Sequence, residues 1–401
     1  MKLRYKATTR DGKIIRGLME ANDLNDAAVY LREKDLIPIQ ISKVGDNVLD
    51  KLLPFFNKIG SSDLILFTRQ LSSMLSSGLT LLRSLQIFKE QIENEAMIEV
   101  VTSIVNDIEE GKSFSYAIAK YPNVFSPIYI SLIKAGESSG LLDKVLLRLA
   151  NNLEKEAKLK GTIKSALMYP AIIVVLMVFV VFIMMIFVIP QLSSLYVNLG
   201  VPLPLPTQIV IGMSGIIGTF WPLVIVGVFG ITFFYRRWRK TEQGQLIVDN
   251  LILKLPVFGK LISQTILAEF ARTLGLLIGT GTLVVESLNE TADTTGNIYY
   301  KNAIKDVSKQ VEKGVSIGNA LSAYTLFPPM LVQLVKIGEQ TGKMDETLTK
   351  ASEYFEGEVN QMVKTLTTAL EPFIMLVLGV GVAFLIVSVI TPIYSLISTL
   401  Q

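Results

Sequence analysis

The stretch AIIVVLMVFVVFIMMIFVI, residues 171–189, lies between Pro170 and Pro190 and contains almost only large apolar side chains. Nineteen residues of α-helix extend about 30 Å, which matches the hydrocarbon core of a bilayer. The stretch belongs to a longer segment, residues 165–235, that contains no Asp, Glu, Lys or Arg, and residues 372–401 are equally uncharged. With a mean hydropathy of +0.47, the sequence predicts a membrane protein and excludes a purely soluble one.

Charges beside the uncharged segments predict the topology. The sequence predicts transmembrane helices at 165–190, 209–235 and 372–397, with an extracytoplasmic loop at 191–208. Four lysines precede the first helix and four basic residues follow the second, namely Lys155, Lys158, Lys160, Lys164, Arg236, Arg237, Arg239 and Lys240. Basic residues stay on the cytoplasmic side, so we expect a three-span protein with its N-terminus in the cytoplasm and its C-terminus outside.

Composition also excludes several kinds of function. The chain has no His and no Cys, which excludes His-assisted catalysis, thiol chemistry and the usual zinc sites. The first two spans contain no ionisable residue, and only Glu371 lies at the edge of the third, so a transporter or proton relay is disfavoured. A net charge of +3 gives no indication of a nucleic-acid partner. We expect no enzymatic activity and no cofactor.

The charged regions of the chain are copies of each other. Phe67-Thr68-Arg69-Gln70-Leu71 aligns with Phe270-Ala271-Arg272-Thr273-Leu274 at an offset of 203, and later matches, such as Pro170 with Pro372, follow at 202. A register kept over more than a hundred residues indicates a duplication. Apolar residues at spacings of three and four predict that each copy, residues 63–164 and 266–371, is a bundle of about six helices whose last helix runs toward the membrane.

The N-terminal region has a different pattern. Residues 1–46 predict a small α/β module, with strands at Leu3–Thr8, Ile14–Glu20 and Ile37–Ile41 and a helix at Asp23–Lys34. A linker at 47–62 joins this module to the first repeat. The predicted fold class is therefore an all-α membrane protein with two homologous cytoplasmic helical bundles, three transmembrane helices and this small module.

One short motif matches the end of a nucleotide-binding loop but lacks the rest of that loop. Gly111-Lys112-Ser113 resembles the end of a phosphate-binding loop, yet that loop needs a glycine at the position of Asn106 and a preceding strand. The second copy has Val315 where the lysine would lie. We interpret the glycine as a helix stop and the serine as an N-cap.

A loop between two helices occurs in both copies and supplies the candidate site residues, which are Gly136, Glu137, Gly140, Asp143, Gly338, Glu339, Gly342 and Asp345. It could be only a helix-to-helix turn, in which glycine ends one helix and polar residues cap the next. It could also be a cytoplasmic contact loop whose glutamate meets a partner protein. A metal site at Glu137 and Asp143 would have too few ligands. Glu371 is a further candidate contact at the membrane edge.

Taken together, these motifs resemble the inner-membrane platform proteins of type II secretion and type IV pilus assembly, the F-protein family. The resemblance includes the opening Phe67-Thr68-Arg69-Gln70-Leu71, both Gly-Glu-x-x-Gly loops, Tyr169-Pro170 and Glu371-Pro372. It also includes the N-terminal Tyr5-Lys6-Ala7 with Asp11-Gly12-Lys13, and the outer-loop Pro202-Leu203-Pro204-Leu205-Pro206-Thr207. Only Met344 departs, since the first copy and the family usually have leucine there.

The resemblance implies a non-enzymatic platform. Such a protein contacts a cytoplasmic hexameric ATPase, acts on pilin or pseudopilin subunits, and meets other inner-membrane components of the machine. The repeat further suggests a homodimer or higher homo-oligomer. A membrane scaffold or receptor of an unrelated pathway remains an alternative, whereas a polytopic channel is disfavoured.

Overall fold

A computed structural model describes residues 2–8, 14–21, 23–43, 58–188, 190–191, 212, 226–227 and 229–400. The N-terminal module contains β1 (Lys2–Thr8), β2 (Ile14–Glu20), α1 (Leu24–Glu33) and β3 (Ile37–Lys43). The antiparallel sheet has the order β2-β1-β3. Leu3, Ala7, Ala27 and Leu31 are buried, so α1 covers one face of the sheet, as alternation in the strands and helical spacing in α1 predict.

The first repeat consists of six helices. They are α2 (Ser61–Ser76), α3 (Leu81–Gln91), α4 (Glu95–Glu109), α5 (Phe114–Ala119), α6 (Pro127–Ser139) and α7 (Leu142–Ile183). The side chains of Thr80, Asn94, Ser113 and Ser126 accept backbone hydrogen bonds at helix starts. Helix α2 begins inside the predicted linker, because Asp63 accepts a 2.9 Å hydrogen bond from the Gly60 N–H and fixes that end. The rest of the predicted linker, up to residue 57, lies outside the described residues.

The second repeat has the same helices and one more. Its elements are α8 (Glu242–Lys254), α9 (Phe258–Gly279), α10 (Val284–Thr294), α11 (Ile298–Glu312), α12 (Ile317–Ser322), α13 (Pro329–Thr341) and α14 (Met344–Leu400). Helices α9–α14 correspond to α2–α7, whereas no helix among the described residues 58–188 corresponds to α8. Sequence reasoning did not predict α8, because residues 236–265 were assigned neither to the second span nor to the second repeat.

The two bundle cores are built alike and meet. Phe67 and Phe125 lie 5.7 Å apart in the first core, and Phe270 and Phe327 lie 5.6 Å apart at the matching positions of the second. Leu277 from α9 is buried in the first core. Leu159 from α7 is buried in the second. The repeats therefore pack against each other.

Helices α7 and α14 continue from their bundles into the uncharged segments without a break. By length and composition, the helices among the described residues that could cross a membrane are Leu142–Ile183, Phe258–Gly279 and Met344–Ala383. The first and third contain predicted spans, and no residue in their most apolar windows is buried. Helix α9 is 56% buried in its window and forms part of the second core, so we assign it to the bundle. Most of the predicted second span and the outer loop lie outside the described residues.

Candidate functional site

The duplicated loop is a helix end followed by a second helix. Helix α6 continues past Gly136, and Gly140 ends it with φ +68°, where the Leu141 N–H donates to the Gly136 carbonyl at 2.9 Å. In the second copy, Gly342 ends α13 with φ +71°, and the Lys343 N–H donates to the Gly338 carbonyl at 3.0 Å. The glycine that ends each helix is thus the second glycine of the motif, in the left-handed conformation.

The first glycine of each motif allows two helices to pack closely. A Cβ atom at Gly136 would lie 2.9 Å from Cγ2 of Val145 on α7. A Cβ atom at Gly338 would lie 2.8 Å from Sδ of Met344 on α14. Both distances are too short for a side chain, so these glycines set the spacing between the two helices that flank the turn.

Glu137 lies on the last turn of α6 and caps the start of α5, and Glu339 lies on the last turn of α13 and caps the start of α12. The Glu137 carboxylate accepts hydrogen bonds from the N–H groups of Phe114 (2.7 Å) and Ser115 (3.1 Å) at the start of α5. The Ser115 hydroxyl donates a further bond of 2.7 Å. Glu339 accepts from Ile317 N–H (2.5 Å) and Gly318 N–H (2.9 Å) at the start of α12. A carboxylate at a helix N-terminus satisfies free amides and opposes the positive end of the helix dipole.

The two aspartates of the motif differ in their surroundings. Asp143 and Asp345 each lie in the first turn of the helix that follows, where a negative charge is favourable. Asp345 also lies 3.9 Å from Arg148 of the first repeat. The second loop therefore contributes to the contact between the repeats. The described residues contain no cluster of three carboxylates that could hold a metal ion.

The other two motifs have simple structural positions. Glu371 is exposed on α14, immediately before the uncharged segment begins at Pro372. Lys112 forms ion pairs with Asp107 (2.9 Å) and Glu110 (2.7 Å), and Gly111 ends α4 with φ +84°. The side chain of Ser113 caps α5 through the N–H of Tyr116. The predicted helix stop and N-cap are confirmed.

Sequence reasoning missed a duplicated ion pair. Arg69 on α2 makes a two-bond contact with Glu154 on α7, at 2.7 and 2.6 Å. Arg272 on α9 contacts Glu356 on α14 at 2.7 Å. The arginines belong to the motif at residues 67–71 and its copy at residues 270–274, and the glutamates are related by the 202 offset. This repeated spacing was the sequence signal that could have revealed the pair. The second pair is more buried, with side chains 7% and 18% exposed against 32% and 45% in the first.

A polar groove separates the repeats where α7, α9 and α14 meet. It has a volume of about 710 Å³ and both signs of charge on its walls. Lys155 on α7 contacts Glu353 on α14 at 3.0 Å across it. Together with the pair between Arg148 and Asp345, this bridge connects the two repeats at their polar surfaces.

This fold and geometry define a class: an all-α membrane protein with two homologous helical repeats, in which duplicated turns and ion pairs fix the helices that run into the uncharged segments. A family model described as type II secretion system protein F matches residues 67–190 and again 270–392. The N-terminal domain model of the same protein matches residues 4–42.

Full-length relatives agree with these matches. The chain is 37% identical over 401 residues to a type IV pilus assembly protein PilC of Thermus thermophilus, covering 99% of this chain and 98% of the relative. It is 35% identical to the type IV pilus assembly protein TapC of Aeromonas hydrophila, covering 98% and 95%. It is 29% identical to a type II secretion system protein F of Xanthomonas campestris, covering 98% of each. The chain belongs to the type II secretion system protein F family, which confirms the resemblance seen in its motifs.

Proposed function

We propose that the protein is the inner-membrane platform of a type IV pilus or type II secretion machine, and that it couples a cytoplasmic assembly ATPase to extraction of pilin or pseudopilin subunits. The names of the relatives support the platform role. The higher identity to the pilus assembly proteins, 37% and 35% against 29%, favours a pilus. The protein supplies no catalysis of its own; the ATPase is the energy source.

The observation that carries the coupling proposal is the continuity of α7 and α14. Helix α14 has 57 residues, about 85 Å, and links the second bundle to the last uncharged segment without a loop. Helix α7 has 42 residues, about 63 Å, and links the first bundle to the first uncharged segment in the same way. Unlike a flexible linker, a continuous helix transmits a displacement of the bundle to the membrane.

The experiment interrupts this continuity. A short glycine insertion after Lys164 on α7 should leave copurification of the cognate ATPase intact and abolish fibre assembly. The same insertion after Gly296, in the connection between α10 and α11, is the control and should leave both intact. Fibre assembly by the α7 variant would refute mechanical coupling through this helix. Failure of the intact protein to copurify with the ATPase or a pilin would instead favour a scaffold or receptor of another pathway.

The proposed contact surface is the pair of duplicated turns. Because Glu137 and Glu339 cap α5 and α12, the exposed parts of the turns are their neighbours, such as Ser138 and Gln340. The carboxylates hold those surfaces in place. Glu371 is proposed as a separate contact at the membrane edge with pilin or another inner-membrane component. A symmetric homo-oligomer would present several copies of each surface to a hexameric ATPase.

The proposed orientation places both bundles in the cytoplasm. Reporter fusions after Asn198 and Gln401 should report outside, and fusions after Lys164 and Lys254 should report inside. The basic flanks of the uncharged segments support this orientation. A cytoplasmic signal from the Asn198 fusion would overturn it.

A further inference from the structure

Helix α8 exposes an unusual apolar stripe. Ile247, Leu251 and Leu255 follow one another at intervals of four, and they are 57%, 62% and 44% exposed. Val257 and Phe258 extend the stripe beyond the helix end and are also exposed. The opposite side of α8 is the one that packs on the bundle, since Asp249 is buried there and Leu253, four residues later, packs against the second core.

The buried side explains why the stripe cannot turn inward. The Asp249 carboxylate accepts a 2.9 Å hydrogen bond from the Ile298 N–H at the start of α11. The Tyr299 hydroxyl donates to the Leu246 carbonyl of α8 at 3.4 Å. These contacts fix the rotation of α8 and leave the apolar stripe facing away from the protein.

The stripe lies at the level where the protein enters the membrane. Arg272 pairs with Glu356, and Gly279 lies against Asp345, so α9 runs antiparallel to α14. Extending that register places Phe258, the first residue of α9, beside about residues 366–370 of α14. The uncharged segment of α14 begins at Pro372, immediately after this position.

The segment that precedes α8 leads to the same surface. Residues 229–238 are helical, and Phe229, Ile231 and Phe233 are 70–74% exposed. Tyr235 and Trp238 follow, and these residue types are typical of a membrane–water interface. Only Thr241 separates Lys240 from the first residue of α8.

Charge favours an anionic surface. From residue 236 to residue 260 the exposed cations are Arg236, Arg237, Arg239, Lys240, Lys254 and Lys260. The exposed acid of this segment is Glu242, since Asp249 is buried. A helix with one apolar face and flanking cations is suited to the headgroup region of a bilayer that contains anionic lipid.

We infer that α8 and the turn after it dock on the bilayer surface, with Ile247, Leu251, Leu255, Val257 and Phe258 in the outer acyl region and the flanking cations at anionic headgroups. The second repeat is then held against the membrane at α8 as well as through α14.

The test uses the natural absence of cysteine. Full-length Leu251→Cys protein, labelled with an environment-sensitive fluorophore, is reconstituted in vesicles of phosphatidylethanolamine and phosphatidylglycerol whose acyl chains are brominated. Leu283→Cys is the matched control, because Leu283 is 74% exposed but follows the far end of α9, about 33 Å from Phe258. Leu255→Cys repeats the test in case a label at residue 251 impairs folding.

We expect brominated lipid to remove most of the emission from residue 251 and little from residue 283, while aqueous iodide does the opposite. Equal iodide quenching at both residues would overturn the inference, because the stripe would then face water. Protection of residue 251 from both quenchers would also overturn it and would indicate a second copy or a protein partner. In vesicles of brominated phosphatidylcholine alone, quenching at residue 251 should fall; unchanged quenching would refute the role of anionic headgroups.

Discussion

The Glu137 carboxylate should stabilise the protein through α5. Glu137→Ala removes the acceptor of three hydrogen bonds, from the Phe114 and Ser115 N–H groups and the Ser115 hydroxyl. An unsatisfied, partly buried donor costs about 1–3 kcal/mol, and the lost charge at a helix N-terminus adds about 0.3–1 kcal/mol. Water reaches part of this site, so we expect a net loss of about 2 kcal/mol. Glu137→Gln, which keeps one neutral acceptor, should lose about half as much.

The assay is hydrogen exchange of the full-length protein, read by mass spectrometry on the peptide that contains residues 111–120. A loss of about 2 kcal/mol corresponds to about thirty-fold faster exchange of the α5 amides, because 1.4 kcal/mol is a factor of ten. Glu99→Ala, an exposed glutamate on α4, is the control and should change nothing there. Glu339→Ala should have the corresponding effect at Ile317 and Gly318.

The result also separates the two interpretations of the duplicated loops. Unchanged exchange at Phe114 and Ser115 in Glu137→Ala would refute the capping argument. If that protein also accumulated normally but no longer supported fibre assembly, the carboxylate would act on a partner, as one of the two sequence interpretations predicts. Faster exchange with reduced abundance would make the capping contact sufficient to explain the glutamate.

Three further predictions concern stability of the full-length protein, measured as the thermal midpoint by circular dichroism. Gly140→Ala should lower the thermal midpoint, at a cost of about 1 kcal/mol, because φ is +68° there, whereas Gly161→Ala on α7 should not lower it. A Cβ atom would meet open space at both positions, so equal effects would contradict the role of backbone conformation. Arg272→Ala should cost about 3 kcal/mol because it leaves the mostly buried Glu356 carboxylate without its cation, while Arg69→Ala in the exposed pair should cost under about 1 kcal/mol. Similar costs would show that burial of the pair does not matter. Two lysine partners hold the pKa of Asp107 below its usual value of 3.8, so the stabilisation from this ion pair is present above that pH and is lost as the pH falls through the lowered pKa. Asp107→Asn should lower the thermal midpoint at neutral pH, and the difference in midpoint between the variant and the unmodified protein should narrow in acid. A difference that stayed constant would disprove the ion-pair role.

Local sequence rules predicted most of the helices. Gly78, Gly111 and Gly140 end helices with positive φ, as do their counterparts in the second copy, because few other residues adopt that conformation readily. Ser113 and Ser126 begin the next helices by accepting backbone N–H bonds. These signals involve residues within about one helical turn, which is why reading the chain alone is enough to find them.

Contacts between distant residues could not be predicted in the same way. The bond from Phe114 N–H to Glu137 spans 23 residues, and the pair between Arg69 and Glu154 spans 85. Glycine and glutamate in a helix-ending motif suggest a turn, but they do not reveal which helix the carboxylate reaches. Helix α8 was missed for another reason: residues 236–265 were assigned neither to the second span nor to the second repeat.

The two copies differ in how firmly an ion pair holds their long helices. The arginine–glutamate pair is exposed in the first repeat and buried in the second, and the aspartate of the second loop lies toward Arg148 of the first. A buried ion pair tolerates little rearrangement, since separating its charges in a dry site is costly. The buried pair therefore resists separation of α9 from α14 more strongly than the exposed pair resists separation of α2 from α7. Under the proposed coupling, a force on the first repeat would reach the membrane directly through α7, and the bridge between Lys155 and Glu353 would transfer part of it to α14.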